Sequence, residues 1–243
     1  YSSYYKDRHS SDIFKYFDDS LILTKSFFTN PKDFFSMLFG LEGNSEYLHQ
    51  KYLINMNHWD SSYKSSIFNE SRLVIRINAI IGIISNNIYF VHAIFFSFFS
   101  LIGFTFFIKT LNLVFPKENH RFIFWALVLF PSILIFSSGL LKEPILILSL
   151  GVCSYFLNQV IQNKKINILS TLFLIFSMLI ILKIKFYVFC CLSPAVLTFL
   201  IIKFSNKNPH ILFLSCILSI SFIFILLHLF SNNYDPIKII SKK

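Results

Sequence analysis

The sequence predicts an all-α, polytopic membrane fold on three observations: 55% of its 243 residues are hydrophobic, only 14% are charged, and nine of the twelve acidic residues precede Leu73. Soluble globular domains carry about 25% charged residues, so most of this chain is matched to lipid. Six apolar runs approach bilayer length, at approximately 88–108, 122–141, 145–161, 166–184, 186–204 and 211–230. About 17 to 20 apolar residues cross a hydrocarbon core of roughly 30 Å as helix. Short polar breaks between the runs suit antiparallel neighbours, and the alternation of a membrane barrel is absent from the sequence. The expected organisation is a loop over 1–72 with interfacial helices, a transmembrane helical domain over 73–230, and the opening of a further polar loop over 231–243. Because the polar loop opens at Tyr1 with no export signal, a span is expected upstream.

Within the loop, Ile13, Phe14, Phe17, Leu21 and Ile22 recur at near-helical spacing over 11–25. Asn30-Pro31 breaks that pattern. Residues 32–41 (KDFFSMLFGL) read as a second, short amphipathic helix ending near Gly40, with a Phe-rich face suited to lipid headgroups. Residues 69–85 repeat the pattern, with Arg72 and Arg76 one turn apart, and lead into the first long run near Ile88. If the spans alternate, the connections around 109–121, 164–165 and 203–207 share one side and carry seven Lys or Arg. The opposite connections carry Lys142, Lys183 and Lys185. The positive-inside rule then places loop 1–72 outside the cytoplasm.

The net charge of +10 comes from Lys and Arg scattered at the ends of apolar runs, without a basic face or RNA-binding motif, so nucleic acid is not an expected partner. Cys153, Cys190, Cys191 and Cys216 lie within apolar runs without CxxC or metal-type spacing, and read as small core residues. His92 and His228 sit in runs without a carboxylate at helical spacing and read as packed or hydrogen-bonded core residues.

The richest constellation is 9–19 (HSSDIFKYFDD), where a helix would align His9, Asp12, Tyr16 and Asp19 on one face. A partly desolvated carboxylate there suits a general base taking a proton from a hydroxyl; a solvated, helix-capping acidic cluster is the competing reading. Asp12, Asp18 and Asp19 are also hard oxygen donors, yet no coordination loop surrounds them, so no metal site is assigned and the cofactor stays open. A second constellation is 137–144 (SSGLLKEP). Lys142 suits a lipid-linked phosphate and Glu143 the orientation of phosphate or sugar; a turn with a self-compensating ion pair reads equally well. Lys183 and Lys185 fall on the same expected face as Lys142, and with Arg72 and Arg76 compose a possible polyprenyl-phosphate or pyrophosphate site. Snorkelling to bulk lipid phosphates explains the lysines as well. His58 and Trp59, among Tyr52, Asn55, Asn57, Asp60 and Tyr63, form a mix suited to sugar rings or to an interfacial aromatic belt.

Residues 12–16 (DIFKY) and 131–143 (PSILIFSSGLLKE) resemble stretches of the superfamily C membrane glycosyltransferases, in particular bacterial relatives of the dolichyl-phosphate-mannose-dependent mannosyltransferases, over roughly residues 9–200. The resemblance implies an inner-membrane enzyme of bacterial type that draws a sugar from a polyprenyl-phosphate donor, with membrane lipids around it. The implied base is Asp12, with Asp18 or Asp19 as substitutes, and the donor phosphate lies near Lys142, Lys183 or Lys185, which stabilise the departing charge. The sugar transfers with inversion. A polysaccharide polymerase of the O-antigen or exopolysaccharide type is the alternative; it would depend on Arg72, Arg76 or Lys183 and tolerate Asp12→Asn. A transporter or assembly subunit ranks third, because mid-span ionisable residues, the usual mark of transporters, are missing.

Overall fold

The computed structural model describes residues 12–41, 46–59, 70–115, 125, 129–162, 167–203 and 208–230. Among them the chain forms ten α-helices and one 3₁₀ turn, with no strand, in agreement with the all-α expectation. The first four helices make the loop unit. α1 (Asp12–Thr29) turns its apolar stripe of Ile13, Tyr16, Phe17 and Leu23 inward. It stops at Asn30, whose extended backbone hands over to Pro31 in the first turn of α2 (Pro31–Phe39), where a missing N–H costs nothing. α2 ends as expected at Gly40, which takes φ 71° and lets its own and the Leu41 N–H reach the Ser36 carbonyl. α3 (Glu46–Lys51) and the 3₁₀ turn Leu53–Asn55 follow.

α4 (Glu70–Ser85) packs along α1. Gly82 makes this approach possible, since a Cβ there would lie 2.7 Å from the Thr24 hydroxyl, which itself donates to the Ala79 carbonyl at 3.2 Å. The expected boundary at 72 falls inside α4, which joins the loop unit to the long helices. Asn86 and Asn87 make the turn with φ 54° and 61°, the left-handed region that Asn tolerates better than most residues.

The long helices are α5 (Tyr89–Val114), α7 (Glu143–Gln162), α8 (Ile168–Ile184), α9 (Phe186–Ile202) and α10 (Pro209–Phe230), with the short α6 (Pro131–Ser138) set against α5 and α7. They pack in sequence, α5 on α7, α7 on α8, α8 on α9 and α9 on α10. Their positions match five of the expected apolar runs, but the expected count of six spans is not supported. Only α5 and α7 are both long and apolar enough to cross a membrane among the described residues. α8 and α9 have 17 residues each, about 26 Å at 1.5 Å per residue, and α6 covers only eight residues of the run at 122–141.

Packing among these helices sets small residues at the closest crossing and leaves many large apolar ones outside. At the α5–α7 crossing, a Cβ on Gly103 would lie 2.6 Å from the Ile147 carbonyl oxygen, and one on Gly151 would run into the Gly103 backbone. Ser100 and Ser149 are buried, with Ser100 donating to the Ser137 carbonyl at 2.8 Å. Phe90, Ile94, Ile168, Phe176 and Leu218 face outward, each more than 60% exposed. Of the cysteines, Cys153 and Cys216 are buried, Cys190 is half-buried and Cys191 exposed, all as free thiols. His92 fits the hydrogen-bonded reading: it is fully buried, with Nδ1 2.9 Å from Asn78 Oδ1 and Nε2 2.8 Å from Ser85 Oγ. The His228 side chain lies outside the described residues.

One core runs from the loop unit into the helix ends, linking Ile13, Tyr16, Leu23, Phe34 and Val74 to Phe96, Leu140, Ile145 and Ile184. α2 and α3 are tied by Asp33, whose carboxylate accepts from Lys51 Nζ (3.1 Å), Tyr52 OH (3.0 Å) and Tyr47 OH (3.2 Å). Burial acts to raise the Asp33 pKa, but these donors and the Lys51 charge outweigh it and hold the carboxyl below its usual range.

Two predictions follow from this packing. Gly103→Leu forces a side chain into backbone and is expected to cost at least about 1–3 kcal/mol, read as a lower unfolding midpoint in detergent beside Ser97→Ala as a control. Because the Asp33 pKa is depressed in the fold, its stabilisation is present above the unfolded value of 3.8 and is lost as pH falls through the lower folded value. Proteolysis within α2–α3 is therefore expected to accelerate below about pH 4 in wild type, and to lose that dependence in Asp33→Asn.

Candidate functional site

The amino end of α1 meets the connection between α6 and α7. Ile13 reaches within 3.5 Å of the point where a Gly139 Cβ would stand, and Leu140 and Leu141 join the same core. Phe14 and Phe17 pack on Tyr89 at the start of α5, with ring centroids 5.5 and 5.3 Å apart. The first turn of α1 is thereby held at the end of the bundle where α5, α7 and α9 begin.

Across α1 lies the segment 56–59, fastened by Asp19. This carboxylate is fully buried and accepts the main-chain N–H groups of Asn57 (2.8 Å) and His58 (2.6 Å). Burial pushes the Asp19 pKa up, with the Asp18 charge adding to it, while the two N–H donors and His58 pull against the rise. The fastening sets the His58 ring on Tyr16, with centroids 5.0 Å apart, and brings His58 Nε2 to 3.2 Å from Asp12 Oδ1. Asp12 is 58% exposed and His58 25%. Lys142 Nζ stands 5.9 Å from the same Tyr16 ring. Three segments far apart in sequence, 12–16, 58 and 142, thus share one aromatic platform.

Beside Lys142, Glu143 opens α7 and accepts from Lys185 Nζ at 3.0 Å. Burial acts to lower the Lys185 pKa, but the Glu143 hydrogen bond and charge, with a smaller contribution from Tyr187, raise it overall. Lys183 lies exposed in the last turn of α8.

Arg72 and Arg76 flank Trp59 instead, each guanidinium carbon 5.3 Å from the ring centroid. Arg72 is 3% exposed, and Arg76 Nε donates to the Met37 carbonyl at 3.0 Å. Arg76 packs under Gly40, where a Cβ would approach its Nη2 to 3.0 Å. Burial, then the neighbouring Arg72 charge, pushes the Arg76 pKa down to about 10.

The expected constellations are therefore partly joined. Asp12, His58 and Lys142 meet at Tyr16, and Glu143 with Lys185 adjoins them. Asp19 anchors main chain and Asp18 is half-buried beside it, while Trp59, Arg72 and Arg76 form a stack of their own. His9, Asp60 and Tyr63 lie outside the described residues. Sequence reasoning aligned Tyr16 on a helix face without giving it a role, and it passed over Asp33. Among the described residues no cluster of three His, Cys, Asp or Glu side chains is arranged to hold a metal.

Asp19→Ala would leave two part-buried N–H donors without their acceptor, an expected cost on the order of 1 kcal/mol. Denaturant unfolding in detergent should show it, with faster hydrogen exchange at Asn57 and His58 than in wild type. No protein-family model, curated protein or solved structure matches this chain.

Proposed function

We propose that the chain belongs to an integral membrane glycosyltransferase that moves a sugar, with inversion, from a polyprenyl-phosphate donor to an acceptor hydroxyl at the extracytoplasmic surface. The observation that carries this reading is the meeting of Asp12, His58 and Lys142 on Tyr16 at one end of a set of apolar helices. A carboxylate–imidazole pair accepts a proton, and a lysine receives phosphate charge; a transfer from a lipid phosphate needs both within one substrate length.

The membrane setting is supported by the apolar outer faces of the long helices and by α5 and α7, each of crossing length. Exposed apolar surface on this scale marks a protein or lipid contact, and small residues at the crossing suit helix association in lipid. In this reading α8, α9 and α10 are further spans, the run at 122–141 completes the set of six, and the lysine-rich connections face the cytoplasm. The donor tail lies between helices, its phosphate near Lys142, Lys183 and Lys185, and its sugar toward the Asp12–His58 pair. Glu143, tied to Lys185, orients that lysine. The polymerase reading gives the central role to Arg72 and Arg76, and their stacking on Trp59 and the burial of Arg72 favour a packing role for the pair.

The test is incorporation of labelled sugar from a polyprenyl-phosphate donor in membranes containing the protein. Asp12→Asn is expected to lower turnover about 100-fold or more with donor binding retained. Full turnover in Asp12→Asn together with its loss in Arg76→Gln would replace the transferase by the polymerase.

A further inference from the structure

We propose that His58, not Asp12, takes the proton from the acceptor hydroxyl, at Nδ1, and that Asp12, Asp19 and Tyr16 are positioning residues for it. The inference rests on the transferase reading and assigns the proton-accepting atom within that site.

Hydrogen-bond chemistry fixes the tautomer. An ionised carboxylate only accepts, so at the 3.2 Å contact with Asp12 Oδ1 it is His58 Nε2 that carries the hydrogen. In the neutral ring the lone pair then belongs to Nδ1. No hydrogen bond from a described residue occupies Nδ1, and the ring retains 25% of its surface.

The imidazole is also constrained at three points: its main chain by Asp19 (2.6 Å), its face by Tyr16 (5.0 Å) and its edge by Asp12. Asp12 is the most solvent-open member, and one of its oxygens is already engaged. A carboxylate that orients an imidazole and stabilises the imidazolium is a recurrent arrangement for base catalysis. Imidazole, moreover, is the side chain whose ordinary titration lies nearest neutral pH, where proton transfer is most effective. Among the described residues, the charged or titratable groups facing the ring are Asp12, Tyr16 and Asp19 from α1, with Lys142 of the α6–α7 connection against the same Tyr16.

The step balances. The acceptor O–H proton passes to His58 Nδ1 as the acceptor oxygen bonds to the anomeric carbon. The anomeric C–O bond to phosphate breaks and its electron pair leaves with the lipid phosphate. The resulting imidazolium keeps its Nε2–H on Asp12 until it loses the Nδ1 proton to water.

Full-length protein in lipid nanodiscs tests this by two readouts. Nitrogen-15 histidine NMR is expected to show neutral His58 as the Nε2–H tautomer in wild type and a mixture of tautomers in Asp12→Asn. In the sugar-transfer assay, His58→Gln is expected to lose at least about 100-fold in kcat with KM little changed and with the acid limb of the pH profile removed. Asp12→Asn should keep that limb, with kcat reduced because the Nε2–H tautomer is no longer held by a carboxylate. Folding of each variant is checked by its unfolding midpoint. His58→Gln turnover within twofold of wild type overturns the assignment and returns the proton to Asp12. If wild-type protein transfers no sugar, the transferase reading fails; a dominant Nδ1–H tautomer, or one indifferent to Asp12→Asn, separately overturns the positioning of His58 by Asp12.

Discussion

A carboxylate buried without compensation is one of the costliest groups a fold can contain, and the loop unit is organised around meeting that cost at Asp19. Two main-chain N–H groups converge on it. Through them the segment 56–59 is pinned to α1, and its side chains inherit fixed places: His58 on Tyr16 and Trp59 against Arg72 and Arg76. Neither contact is set by the local sequence of 56–59, which holds no long regular helix. The side chains set on the surface of α1 therefore owe their places to an acid that is itself buried.

Below this layer the requirement inverts. Helices in hydrocarbon gain little from burying apolar side chains against one another, so close approach and hydrogen bonds hold them together. Gly103 and Gly151 supply the approach, and Ser100 and the Thr110–Ser154 pair supply polar contacts at the α5 interface. Large apolar side chains are left to face outward. The Asn78–His92–Ser85 chain sits where the two regimes meet, joining α4 to the start of α5 by polar contacts buried from both sides. A rigid joint at that point carries the orientation of the loop unit into the bundle.

Much of this was legible in the sequence, for definable reasons. Helix α1, the Asn30-Pro31 break, the stop at Gly40 and the start near Ile88 each follow from local rules of spacing, imino geometry and left-handed turns. The number of crossing helices was less legible, because composition marks an apolar run without fixing its helical length. The run at 122–141 has Pro131 within it, and α6 begins there. The site was legible as residue types but not as partners. Asp12 and Asp19 lie seven apart on one helix, yet one is exposed and the other fully buried. What separates them is a segment some 38 residues downstream in the chain, and no periodicity reports such a contact. Arg72 and Arg76 read as anion-binding for the same reason: sequence shows the charges and not the indole they both approach.

Charge balance at the bundle end gives the proposed chemistry its direction. Lys142 and Glu143 stand where α7 begins and Lys183 and Lys185 at the junction of α8 and α9, and the Glu143–Lys185 pair at 3.0 Å brings the two connections together. A sugar joined to a lipid phosphate through a diester carries one negative charge, and the lipid phosphate released from it carries up to two. In the proposed reading, lysines beside that phosphate compensate the product-like charge more fully than the ground state, which is the condition for lowering a barrier. Lys185 is held through Glu143 at 3.0 Å, so part of this field is set in place before any substrate arrives. The Asp12–His58 pair faces the opposite need, to gain a proton as the acceptor loses one, and both it and Lys142 are set against the Tyr16 ring. Tyr16, almost wholly buried, is in this view the fixed surface against which a base and a phosphate-binding cation are both set.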